Sequence, residues 1–225
     1  MLKQIVSLAI VGMIVVSCGT TAGESPSAQA KTETTLDGLV RVDTDADGDL
    51  FLRMDHGIGG YDAILVAPSF VHYRRSSTRL DSDIEDVYLA SLEQSLVDVA
   101  EEAHVPIVYQ PHRCVIKVGI GFINVALARR PSAKILGEVT LVIEYRDSMS
   151  NQSLLRFVAP KRIERETGDT TRKQQIRNSF DKMIAEVDII AALRAATVVP
   201  SPPRPGCNGD LLRAGIPDMA DGTSP

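Results

Sequence analysis

Tryptophan is absent, and all aromatic residues together make up 4% of the 225-residue chain. So little stacking surface argues against a binder of single-stranded nucleic acid or of carbohydrate. Basic charge is also short. The chain has 24 Lys and Arg against 29 Asp and Glu, a net charge of −5. No basic stripe stands out, so nucleic acid is not expected as a partner. No apolar run reaches the roughly 20 residues of a membrane-spanning helix. The histidines His56, His72, His104 and His112 are scattered and lack metal-ligand spacing. No G-x-S-x-G setting for a nucleophilic serine occurs. Gly57-Ile-Gly59-Gly60 precedes an apolar run instead of following a strand and opening a helix, so it reads as a loop and not as a phosphate cradle. No cofactor is expected.

What is present begins with a leader. Lys3 supplies a positive start, and residues 5–16 form an apolar stretch of signal-peptide length. Val15-Val16-Ser17-Cys18 then has the form of a bacterial lipobox. On this reading residues 1–17 are a lipoprotein signal peptide, and Cys18 becomes the acylated N-terminus, carrying palmitate-type chains. At about 0.8 kcal/mol per buried methylene, several such chains hold a protein on a membrane almost permanently. Gly19, not Asp, follows Cys18. In similar lipoproteins that implies passage to the outer membrane, with the chain facing the periplasm.

Residues 18–34 are rich in Ser, Thr, Ala and Gly and read as a flexible tether. Residues 197–225 are dense in Pro and Gly and read as an extended or disordered tail. Between them, residues 35–196 are the right size for one domain. Besides Cys18 the chain has Cys114 and Cys207. An oxidising envelope would permit a bridge between them. Cys114 lies in a strand pattern and Cys207 in the tail, however, so they read as a buried small hydrophobe and an exposed thiol, with no disulfide.

Within the domain, residues 38–43 and 49–54 read as two short strands joined by Asp and Gly turn chemistry. Residues 62–67 form a strand that Pro68 ends. Ser82-x-x-Glu85 fits a capping box. It opens a helix whose apolar face carries Ile84, Tyr88, Leu92, Leu96, Val99 and Ala103. Residues 114–128 are a long strand whose apolar alternation changes phase, and Gly119 and Gly121 mark the expected bulge. Residues 135–147 and 152–159 complete an antiparallel meander. Residues 171–196 read as a second long helix, with a stripe from Ile176 to Ala191. The sum is an α+β fold: one antiparallel-rich sheet with two amphipathic helices on one face.

Two constellations could carry chemistry. Asp43, Asp45, Asp47 and Asp49, with Gly48, match the first eight positions of a calcium-binding EF-hand loop. Met54 stands where the bidentate Glu belongs, and the flanks are strands, so an acidic turn competes with a metal site. Glu138, Glu144 and Asp147 could supply paired carboxylates for acid–base work. The strand alternation instead puts the two glutamates on a solvated face near Arg146. Lys161-Arg-Ile-Glu-Arg-Glu reads as a solvated, mixed-charge loop.

The order of motifs resembles a known family. Tyr61-Asp-Ala-Ile-Leu-Val-Ala-Pro68, the capped helix, Pro111-His-Arg-Cys-Val-Ile-Lys-Val118 and Gly137-Glu-Val-Thr-Leu-Val-Ile-Glu-Tyr-Arg-Asp-Ser148 are similar to the bacterial lipoproteins grouped as domain of unknown function 3313. The turns at Gln110-Pro-His-Arg113, Gly121-Phe122 and Ser150-Asn151 depart from that pattern. The resemblance implies an envelope lipoprotein with helices on a sheet, and it brings no activity. The expectation is therefore a non-enzymatic accessory or protein-interaction module. It would meet the membrane through Cys18 and take an envelope protein as partner. A calcium-dependent module and an envelope hydrolase with an acidic pair are the alternatives.

Overall fold

The computed structural model describes residues 33–44, 46–128, 134–165, 170–187, 189–197, 199, 200, 202 and 204–214. The signal segment, Cys18, nearly all of the expected tether and Asp45 lie outside them. The described chain is α+β, with a mixed, mostly antiparallel sheet of seven strands in the order β1-β2-β7-β6-β5-β3, and β4 beside β5. The strands are β1 (Val40–Val42), β2 (Asp49–Leu52), β3 (Ala63–Val66), β4 (Phe70–Tyr73), β5 (Val115–Leu127), β6 (Ile135–Asp147) and β7 (Ser153–Glu164). The β1–β2 hairpin and the β5–β6–β7 meander are antiparallel, as their alternation predicts. β3 and β4 join β5 in parallel.

Period-two alternation sets the inner face. Leu50, Phe157, Ile143 and Ile120 lie in one row across four strands, and Leu52, Leu155, Tyr145 and Val118 in the next. On β5, Ile116, Val118, Ile120 and Phe122 are all fully buried. The phase then changes, but not at the glycines. The register shifts between Ile123 and Ala126, and Asn124 takes the left-handed backbone, with φ 55°. Asn tolerates that conformation better than most residues. Val125 and Leu127 thereby return to the core, whereas Ile123 is only half-buried. Gly121 serves packing instead. A Cβ there would collide with the Phe70 carbonyl, so its bareness lets β4 lie against β5.

α1 (Ser82–Glu102) buries Tyr88, Leu92, Leu96 and Ala100. Its N-cap is Asp81 and not Ser82, and no side chain caps it. Glu85 does not fold back to close a capping box; it accepts a 2.6 Å bond from the Tyr73 hydroxyl. α2 (Arg172–Ala185) starts at Thr171, whose hydroxyl accepts from the Gln174 N–H. Tyr88 stacks on Phe180 at 4.8 Å, and Phe180 meets Phe122 edge-on at 4.8 Å, which ties both helices to β5. Among the described residues, no helix is long and apolar enough to cross a membrane.

The single helix expected over 171–196 is two. α2 ends at Glu186, and α3 (Ile189–Ala196) follows. Burial explains the break. At about 100° per residue, a straight helix would turn Ile189, Ala192, Leu193 and Ala196 away from the face carrying Ile176, Phe180 and Met183. All four are buried, so the chain redirects to bring the second face inward. The Tyr145 hydroxyl pins the turn, donating to the Ile189 carbonyl at 2.6 Å.

Three further expectations are corrected. Residues 161–164 are not a loop, because β7 continues through them and Ile163 is fully buried. Net charge misled there, while the strand phase persisted. The described part of the 197–225 tail is ordered against the domain. Cys207 is disulfide-bonded to Cys114, with Cα atoms 5.5 Å apart across a sequence separation of 93. The two cysteines therefore pair, contrary to the reading of free thiols. A short α4 (Asp210–Ala214) follows, and the Leu211 N–H donates to the Tyr61 carbonyl at 3.0 Å.

Candidate functional site

Two helices laid side by side cover about 20 Å of sheet, roughly four strands at 4.8 Å each. The sheet is wider than that, and the β2–β7 end is roofed mainly by α3 and the end of α2. A cavity of about 420 Å³ lies there, within the range of small-molecule sites. Leu141, Phe157 and Ala159 floor it, and Met183, Ala191 and Ala195 roof it. The small alanines of α3 leave room that larger side chains would fill. None of the lining side chains leaves a buried polar atom unsatisfied.

Charge is confined to the mouth. Lys161 occupies the same phase of β7 as Phe157 and Ala159, so it stands on the helix-facing side of the sheet. Its ammonium meets Asp47 at 2.7 Å, with the lysine side chain 25% exposed and the aspartate 91%. That hydrogen bond holds the Asp47 carboxyl below its ordinary value. Glu186, also at the mouth, lies 3.9 Å from Lys182.

The Asp43–Asp49 turn forms one wall. Gly48 is required by packing, since a Cβ there would lie 2.6 Å from the Phe157 ring. Asp47 faces Lys161, and Asp49 pairs with Arg41 across the hairpin. Asp43, Asp47 and Asp49 do not converge on one point among the described residues. The group that does converge, Asp62 with Cys114 and Cys207, is not free to ligate, because the two sulfurs bond each other.

Glu138 and Glu144 are not brought together. Six residues separate them on β6, about 20 Å at strand rise, well beyond the roughly 5–9.5 Å of a working carboxylate pair. Glu138 faces Arg74 at 3.4 Å. Glu144 is held by Arg146 at 2.8 Å and by Arg156 at 2.6 Å, and Arg156 also reaches Asp37 at 2.6 Å. Burial would raise the Asp37 pKa, but the Thr35 hydroxyl and Arg156 outweigh it and hold the carboxyl well below the usual range.

Asp147 heads a different cluster. It is 4% exposed and accepts from the Tyr61 hydroxyl at 2.8 Å, the Ser150 N–H at 2.7 Å and the Ser150 hydroxyl at 2.9 Å. Arg204 of the tail pairs with it at 2.6 Å and lies over the Tyr61 ring, 4.6 Å from its centroid. Burial alone would raise the Asp147 pKa; the Ser150 N–H, Tyr61 and Arg204 outweigh it and lower it. Burial and the facing carboxylate push Tyr61 well above the usual phenol range. Asp62 accepts from the N–H groups of Asn208 and Gly209 at 2.7 and 2.6 Å. His56 is also buried at the tail. Its Nδ1 accepts from the Ile58 N–H at 3.0 Å, so Nε2 carries the proton and donates to the Val199 carbonyl at 3.1 Å. These groups clasp the tail to the domain. Sequence pattern could not find them, because their partners lie far apart along the chain.

No family model matches the chain, and no curated protein matches it. Solved bacterial lipoproteins are among its structural neighbours. Lipoprotein GNA1162 from Neisseria meningitidis is 11% identical, over 56% of this chain and 99% of that one, with a TM-score of 0.33. A minor lipoprotein from Acinetobacter baumannii is 11% identical, over 63% and 98%, also at 0.33. The PelC dodecamer from Paraburkholderia phytofirmans is 10% identical, over 52% and 85%, at 0.28. At such scores neither a shared fold nor a shared role follows.

Proposed function

We propose that the chain is a non-enzymatic cell-envelope lipoprotein, an accessory or protein-interaction module held on the outer membrane by acylated Cys18 and facing the periplasm. The observation that carries this reading is the lipobox Val15-Val16-Ser17-Cys18 after a leader of signal length. The Cys114–Cys207 bridge supports the compartment, since such bridges persist where the surroundings are oxidising. Gly19 supports outer-membrane sorting, and the order of motifs supports kinship with the lipoproteins of domain of unknown function 3313. Glu138 and Glu144, held apart on β6 by their own arginines, lend no support to the hydrolase alternative through that pair.

Crosslinking in intact cells tests the role. The tagged chain is captured and its partners identified by mass spectrometry, beside a Cys18→Ala control. The reading predicts one or two specific envelope proteins, lost when the anchor is lost. Partners retained at full yield by the control would show that anchoring is irrelevant to the role.

A further inference from the structure

We propose that the cavity between the β2–β7 end of the sheet and the α2–α3 corner is a binding site for a single-chain amphiphile with an anionic head, such as a fatty acid. The interior asks for an alkyl chain. Its floor and roof are apolar, and no lining polar atom waits inside for a hydrogen-bond partner. A polar ligand would lose its hydration there without compensation. The volume of about 420 Å³ suits one chain and not a bilayer-forming lipid with two.

The mouth selects the head. Lys161, Asp47 and Glu186 are its charged groups. The ammonium is the more buried partner of its pair, at 25% exposure, and it projects from the inner face of β7 beside Ala159. A carboxylate emerging from the cavity therefore meets the cation first. Asp47, at 91% exposure, gives way to it at little cost, because exposed ion pairs are weak. Glu186, half-exposed at the same mouth, is partly offset by Lys182 at 3.9 Å. The inference stands apart from the anchor: a chain without any lipid would still carry this cavity.

The test is calorimetric titration of dodecanoate, below its micelle concentration, into the full chain carrying Cys18→Ala, so that no attached acyl group competes. One dodecanoate per chain is expected. Ala195→Leu, which fills the roof with a good helix former, should weaken binding about tenfold, the worth of roughly two displaced methylenes. Lys161→Gln at the exposed mouth should weaken dodecanoate severalfold and leave the melting temperature nearly unchanged. Dodecyltrimethylammonium should bind at least severalfold more weakly than dodecanoate. No binding of dodecanoate would overturn the site. Equal binding by Ala195→Leu would place the ligand elsewhere, and equal affinity for the two head groups would overturn the role of Lys161.

Discussion

Asp147 is a nearly dry carboxylate balanced by Tyr61, Ser150 and Arg204, so its charge depends on a few named partners. Asp147→Asn keeps the volume and removes the charge. It should cost about 2–3 kcal/mol, less than the loss of a wholly buried pair because Arg204 keeps some water, as read from denaturant midpoints. The same group makes stability fall in acid. Its folded pKa is below the unfolded value of about 3.9. Its contribution is therefore complete above that pH and disappears as pH falls through the folded value. His56 acts earlier. Burial lowers its pKa against the opposing effects of the Val199 carbonyl and Asp55. Stability should thus begin to fall below about pH 6.5, where the unfolded chain takes up a proton that the folded chain refuses. Melting temperatures should decline in two stages, and His56→Asn should remove the first. None of this was legible in the sequence. Asp147 looked like one of three acids on a strand, and only contact with Arg204 of the distant tail reveals its partner.

At the scale of elements, the helices hold to the sheet through one aromatic trio. Phe180→Ala removes the ring that touches both Tyr88 and Phe122. It should cost about 3–5 kcal/mol, with little backbone relaxation to refill the gap. Most elements were readable from period alone: the β5–β7 meander from alternation, and α1 from the spacing of Tyr88, Leu92 and Leu96. Four features were not. β4 is four residues whose place depends on bare Gly121 in a neighbouring strand. The α2–α3 break serves burial against Tyr145, which helical periodicity cannot register. The last turn of apolar phase in β7 is hidden by its charges. The tail's Pro and Gly content masked a clasp made by Cys207, Arg204 and the Asp62 carboxylate. That clasp closes a loop of 93 residues. In the chain-entropy account, a loop of that length stabilises by about 4.6 kcal/mol. Reduction, or Cys207→Ser, should lower the denaturant midpoint accordingly. An unchanged midpoint would mean that Arg204 and Asp62 hold the tail alone.

For the whole molecule, the lipobox reading of residues 15–18 and the Cys114–Cys207 bridge both support the envelope address proposed above. A chain with several acyl groups on Cys18 would not leave its membrane under salt or carbonate washing, because each buried methylene contributes about 0.8 kcal/mol. The domain would then stand off the bilayer on residues 18–34, which at full extension reach about 55 Å. The most direct test of the anchor is labelling of growing cells with an alkyne analogue of palmitate, followed by fractionation and detection of label on the captured chain. The account predicts labelled wild-type protein in the outer-membrane fraction, and unlabelled Cys18→Ala protein absent from it. Unlabelled wild-type protein recovered in the soluble fraction would contradict it.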